Sequence, residues 1–226
     1  MVMPGTPLER MWQKRLYTPL TTEEAIDILV KAKRHIPKYC RLMRVQRDIP
    51  ANLIVAGVKK SNLRQLVEER MKEKGIECRC IRHREIGIKE AKKISKADFK
   101  NLNLNVIEYK ASKGKEFFIE TVDKNDSLYG FLRLRIPYEP FMQGLDKETA
   151  LVRELHVYGT SLPLGARKEE AVQHKGIGKM LMERAGEIAK EEGMKKSAVI
   201  SALGVKDYYR KFFGYRKKGD YVWKKI

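Results

Sequence analysis

Apolar residues change their spacing along the chain, and the change divides it. Up to about residue 86 the repeats are mainly helical. Thr21 and Glu24 have the spacing of a capping box, and the helix they open runs through about Arg34 and ends ahead of Pro37. A second helix carries Leu63, Leu66, Val67 and Met71 on one face, with Ser61 as its N-cap and Gly75 as its stop. Between the two, residues 40–47 alternate, with Cys40, Leu42, Arg44 and Gln46 on one side, which predicts a strand. Strand, helix, strand in this order is a piece of a parallel α/β unit.

Beyond residue 86 the period shortens to two. After a lysine-rich helix at 89–96, strand-like runs fall at 104–111, 116–123, 127–136 and 150–158, parted by turn signals such as Lys113-Gly114-Lys115 and Lys124-Asn125-Asp126. A helical stretch follows from Gly176 to Glu192 and is closed by Gly193. Next come a strand at 197–202, a short helix at 206–213 and a hairpin at 215–224 turning near Gly219. The expected class is α/β, of α+β character, with a central mixed sheet in residues 87–226 preceded by an α/β remnant in residues 1–86.

Composition narrows the classes of function. The chain has 226 residues, 42% of them hydrophobic, and three cysteines. No apolar run approaches the roughly 20 residues of a membrane span, and no segment reads as a secretion signal. An odd cysteine count without a disulfide spacing fits a reducing compartment, so a cytoplasmic protein without membrane association is expected. The net charge is +19 and the sequence pI about 9.8. A Lys/Glu-rich thermophilic surface would raise both signs together; an excess of one sign attracts a polyanion, and nucleic acid is the usual one. Residues 1–86 hold 19 Lys and Arg against 10 Asp and Glu, so nine of the excess charges lie there and ten beyond.

Candidate chemistry starts at Gln173-His174-Lys175-Gly176-Ile177-Gly178. Placed at the mouth of a helix, such a loop presents unpaired N–H groups and the positive end of the dipole, which suits a diphosphate; the bland alternative is a turn into an ordinary helix. Lys175 and Lys179 would add charge. On the preceding strand, Glu154 and His156 share one face and could polarise water or a carbonyl; otherwise they face solvent while Leu155 and Val157 fill the core. Tyr208 and Tyr209, on the short helix, are candidate proton donors. Cys78, Cys80 and His83, with Cys40 as a fourth ligand, form a candidate zinc site, set against a reading as small buried thiols. Arg41, Arg44, Arg47, Lys59, Lys60, Arg64, Arg79, Arg82 and Arg84 offer a basic face for RNA phosphates.

The order of elements in residues 87–226 resembles the GNAT N-acetyltransferases. Particular blocks carry a narrower likeness: Arg153-Glu154-Leu155-His156-Val157-Tyr158-Gly159, the Gln173 to Gly178 motif, Ala198-Val199-Ile200-Ser201, Tyr208-Tyr209-Arg210-Lys211 and Gly214-Tyr215. In the first part, Arg44-Val45-Gln46-Arg47-Asp48-Ile49-Pro50, Ser61-Asn62-Leu63-Arg64 and Arg84-Glu85-Ile86-Gly87 agree as well. Together they resemble the Elongator catalytic-subunit family, radical S-adenosylmethionine tRNA uridine acetyltransferases. The resemblance implies acetyl-CoA as acyl donor, the anticodon stem-loop of tRNA as partner and carboxymethylation of the wobble uridine as outcome. It also implies S-adenosylmethionine and an iron–sulfur cluster in the full-length protein. The family's three-cysteine cluster motif is absent here, so the chain reads as an N-terminally shortened form, with residues 1–86 a C-terminal, tRNA-contacting remnant of the radical-SAM α/β barrel and residues 87–226 a GNAT-type acetyltransferase domain, that binds and hydrolyses acetyl-CoA at most. A lysine or protein N-acetyltransferase is the alternative.

By the same resemblance, the backbone of Glu154, Leu155, His156 and Val157 would pair with the pantetheine arm. Gln173, Gly176, Ile177, Gly178 and Lys179 would cradle the diphosphate. Tyr209 would face the cofactor while Tyr208 packs inward. The oligomeric state is left open.

Overall fold

The computed structural model describes residues 1–94, 97–99, 101–139, 145–158 and 169–226, without the side chains of 169–175. The chain divides into two compact units, Met1–His83 and Arg84–Ile226.

In the first unit, α1 (Pro7–Gln13) is capped by Thr6, whose hydroxyl accepts from the Glu9 N–H, with Pro7 at the first helical position. Helix α2 (Thr22–Arg34) has the complete capping box: Thr21 Oγ accepts from the Glu24 N–H, and the Glu24 carboxylate accepts from the Thr21 N–H at 2.8 Å. Its Ala25, Ile26 and Val30 pack with Leu63, Val67 and Met71 of α3 (Leu63–Glu73) and with Cys78 and Cys80. Arg70 reaches back across this pair to Glu23 and Asp27. Helix α3 ends at Gly75 (φ +62°), a left-handed position that glycine adopts without a Cβ penalty. Its N-cap is Asn62 rather than Ser61, and that cap makes no side-chain hydrogen bond.

The strand expected at 40–47 is an irregular loop. A strand needs a partner ladder, and here the backbone carbonyls are satisfied otherwise: Arg64 donates to those of Leu42 (3.3 Å) and Met43 (2.9 Å), and Ile81 N–H donates to that of Cys40 (2.9 Å). Among its described residues the first unit is helices and loops with one isolated bridge, Val2 to Ala56.

Two short helices, α4 (Ile81–Arg84) and α5 (Ile86–Ala91), lead into the sheet. The second stops short of the expected 89–96 because Lys93 turns left-handed (φ +56°) and Ile94 N–H closes onto Lys89 O. Then come β1 (Asn103–Ala111), β2 (Gly114–Val122), β3 (Leu128–Ile136) and β4 (Thr149–Val157). Helix α6 (Glu169–Glu191) crosses to β5 (Lys196–Val199), and α7 (Lys206–Phe213) precedes β6 (Arg216–Lys218) and β7 (Tyr221–Lys225). One seven-stranded sheet results, in the order β1-β2-β3-β4-β5-β7-β6, antiparallel except for the β4–β5 pair. The parallel pair follows from the helical crossover, since a short turn can only join antiparallel neighbours.

Helix α6 buries Ile177, Leu181, Met182, Ala185, Ile188 and Ala189 against Phe117, Ile119, Leu132, Leu134, Val152 and Val199 of the sheet. Gly130 on β3 makes the close approach possible: a Cβ there would lie 2.9 Å from Ile177 Cγ2 and 3.0 Å from His156 O. A buried ion cluster closes the N-terminal end of this unit. Arg84 donates to Glu120 at 2.7 Å and to Asp126 at 3.0 Å, and Lys89 donates to Ser127 Oγ at 3.1 Å.

Candidate active site

Strand β4 is paired on both sides only as far as Val152. Its register with β5 runs from Thr149/Lys196 to Val152/Val199, and Ile200 N–H adds a last bond to Val152 O at 3.1 Å. On the other side β3 follows β4 to Val157, with a bulge where the register slips at Arg153. Beyond the bulge, Tyr158 N–H donates to Tyr129 O at 2.7 Å. Alternation along the strand therefore commits the peptide groups of Glu154 and His156 to β3. Those of Leu155 and Val157 are turned to the open side that β5 has left.

The inner face of that opening is formed by Val157, Gly178 and Tyr208. A Cβ built on Gly178 would stand 2.6 Å from Tyr208 Oη and 3.8 Å from Val157 Cγ2, so the missing side chain is what lets the hydroxyl reach the end of β4. The Tyr208 ring is held by Phe212 and Phe213, each 5.4 Å away between centroids. Burial raises its pKa, so it stays a neutral donor at physiological pH.

Tyr209 is elsewhere. It is buried in the core against Tyr215, and burial pushes its pKa up to about 12. The expectation for the two tyrosines is thus reversed: Tyr208 faces the opening and Tyr209 packs inward. Successive helical residues point about 100° apart, so only one of them can do each job.

The glycine motif needs a second correction. Helix α6 begins at Glu169, which makes Gly176 its eighth residue rather than its first. Only the first four N–H groups of a helix are free, so those of Gly176, Ile177, Gly178 and Lys179 are committed within it and do not form an open cradle. Ile177 is a core residue, 3% exposed, and Lys179 pairs with Glu183 at 3.7 Å on the surface. The side chains of Gln173 and Lys175 lie outside the described residues.

His156 is exposed on the face opposite Leu155 and Val157, where its ring sits 5.1 Å from Phe131. The strand therefore separates its imidazole from the Tyr208 hydroxyl. Glu154, on the same outer face, is held by Arg133 at 3.1 Å. Arg133 donates in turn to Tyr109 Oη (2.8 Å), and that hydroxyl donates to Glu116 (2.7 Å). Arg135 (3.1 Å) and Arg153 also donate to Glu116. Sequence reasoning missed this cluster. Its signal was present in the opposite charges of Glu116 and Arg135, which the β2–β3 register sets directly against each other.

The candidate zinc ligands do not assemble. Among the described residues no group of three His, Cys, Asp or Glu could hold an ion. Cys78 donates its S–H to Cys80; that bond and burial both raise the Cys78 pKa, whereas the bond lowers the Cys80 pKa against the opposing effect of burial. Burial lowers the pKa of His83, and the nearby Lys33 lowers it further. The two thiols satisfy each other inside the core, with Cys40 only partly buried. Of the basic candidates, Arg84 is consumed by its buried ion pairs and Arg64 by loop carbonyls, whereas Arg44, Arg47, Lys59, Lys60 and Arg79 are exposed.

A mixed sheet with a helical crossover between β4 and β5 thus opens at a bulge, and similarity to known proteins bears on what that opening is for. The acetyltransferase (GNAT) family matches residues 88–215, and the Radical_SAM C-terminal domain matches residues 1–73. The chain belongs to the GNAT acetyltransferase family. Over 227 residues, 99% of this chain, it is 50% identical to the tRNA uridine(34) acetyltransferase of Methanocaldococcus jannaschii, covering 42% of that protein. It is 40% identical over its whole length to Elongator complex protein 3 of Saccharomyces cerevisiae, covering 41% of it. It also superposes on the archaeal Methanocaldococcus infernus Elp3 with N-terminus deletion (1-46) with a TM-score of 0.90 at 46% identity, covering all of this chain and 54% of that one. The chain thus spans less than half the length of the curated relatives it matches. No helix among the described residues is long and apolar enough to cross a membrane.

Proposed function

We propose that this chain is the acetyl-CoA-binding and tRNA-contacting portion of a tRNA uridine(34) acetyltransferase, with residues 1–86 contributing RNA contacts and residues 87–226 holding the acyl donor. The observation that carries the reading is the open edge of β4 beside Tyr208, in a chain whose whole length follows proteins named for that activity. Amides of the pantetheine arm would pair with the peptide groups of Leu155 and Val157 as an added strand. This narrows the expected backbone contacts from four residues to two. The thioester would then lie near the Tyr208 hydroxyl. When water attacks the thioester carbonyl and the C–S bond breaks, Tyr208 can hand its proton to the departing sulfur and regain one from the attacking water, whose other proton leaves to solvent, giving acetate, free CoA thiol and a proton.

An iron–sulfur cluster finds no ligand set in the cysteines present, since Cys78 and Cys80 are paired in the core, and no step is routed through one. The relatives favour RNA over a protein lysine as the acceptor. Thiol release from acetyl-CoA, followed with and without tRNA, tests the reading. Binding of acetyl-CoA and faster release with tRNA are expected; efficient acetyl transfer to a lysine peptide, indifferent to RNA, would overturn it.

A further inference from the structure

Why β4 leaves β5 where it does is answered by side chains on the outer face of the sheet. Val152 and Leu155 both join the inner core, three positions apart instead of two, so Arg153 and Glu154 are both displaced to the outer face. Each is caught there by a different neighbouring strand. Arg153 pairs with Glu116 on β2, and Glu154 pairs with Arg133 on β3. Both lines converge, because Arg133 reaches Glu116 through Tyr109, and Arg135 donates to the same carboxylate. Glu116 is 2% exposed and takes hydrogen bonds from three strands besides its own: Tyr109 on β1, Arg135 on β3 and Arg153 on β4. A buried carboxylate with several donors is costly to release, so it fixes the residues that surround it.

We propose that Glu116 is a positioning residue for acyl-donor binding: it locks the β4 bulge at Arg153 and thereby holds the peptide groups of Leu155 and Val157 open for the pantetheine arm. This rests on the acetyl-CoA reading above. Glu116 touches no part of the donor itself and lies on the opposite face of the sheet from Tyr208. Without the lock, only the inner packing of Val152 and Leu155 and the Arg133–Glu154 pair oppose β4 relaxing toward a regular ladder, which would rotate the open edge by one residue and turn those peptide groups away.

The test compares Glu116→Gln with the wild-type chain by calorimetry with acetyl-CoA and by amide hydrogen exchange. Glutamine keeps the shape, loses the charge and turns an N–H toward one of the guanidinium groups. Affinity should fall about tenfold or more. Ligand-induced protection at Leu155 and Val157 should be lost while Phe118 and Leu132 in β2 and β3 keep theirs. Arg153→Ala is the second variant; its side chain is 42% exposed, so its loss spares the core while freeing the bulge, and it should weaken binding in the same way. Wild-type affinity in both variants, or loss of protection spread evenly through β2 and β3, would overturn the proposal alone. A wild-type chain that does not bind acetyl-CoA would remove the reading beneath it as well.

Discussion

Tyr208 and Tyr209 are neighbours of identical chemistry, and only their environments separate them. Tyr208 has its hydroxyl beside Gly178 at the mouth of the β4 opening; Tyr209 is 6% exposed within the core. Tyr208→Phe should therefore leave acetyl-CoA affinity within about threefold while thiol release falls about a hundredfold, the range of a general acid. Tyr209→Phe should change neither much, and kinetics of the two variants side by side decide it; equal losses in both would return Tyr208 to a packing role. The sequence showed that a tyrosine pair stands here and that one member must face inward. Which one was not legible, because it depends on which face of α7 meets the core, where Phe213 at the end of the helix and Tyr215 beyond Gly214 also pack.

At the scale of elements, alternation and caps were readable where they are satisfied locally. The capping box at Thr21 and the first four strands of the second unit fall within a residue or two of where their patterns place them, since each such signal is complete within a few residues. Residues 40–47 misled because a two-residue period says nothing about whether a partner strand exists; Arg64, from elsewhere in the sequence, took up carbonyls of that backbone instead. The start of α6 misled for the converse reason: a glycine pair reads as a break, yet the helix runs through it from Glu169. The helix is pinned to the sheet through Gly130. Gly130→Ala would push a methyl within 3.0 Å of Ile177 and His156 O, and overpacking of this kind costs about 1–3 kcal/mol. Denaturant titration should show that loss with an unchanged m-value. Gly130→Val should be worse, and a neutral alanine variant would mean that α6 is free to ride up on the sheet.

Charge acts at the scale of the whole molecule. Its excess of +19 is shared almost equally between residues 1–86 and the rest, so the attraction to a polyanion is a property of the chain and no single tail carries it. Some of that charge is spent internally: Arg84 on Glu120 and Asp126, Arg70 on Glu23 and Asp27, Arg135 on Glu116. Exposed cations such as Arg47, Lys59, Lys60 and Arg79 remain for phosphate contact, and each contact made releases condensed counterions. The logarithm of tRNA affinity should then fall linearly with the logarithm of salt, by about 0.7–0.9 per phosphate engaged. Two contacts already predict about a tenfold loss between roughly 50 and 200 mM salt, and more contacts a steeper one. Filter binding across that range measures the slope. Removing Arg47 or Lys59 should lower it by close to one contact's share without changing which RNA is preferred, because a phosphate contact positions and does not read bases. A flat salt response would mean that the positive excess serves solubility alone, and the first unit would lose its assignment as an RNA-contacting surface.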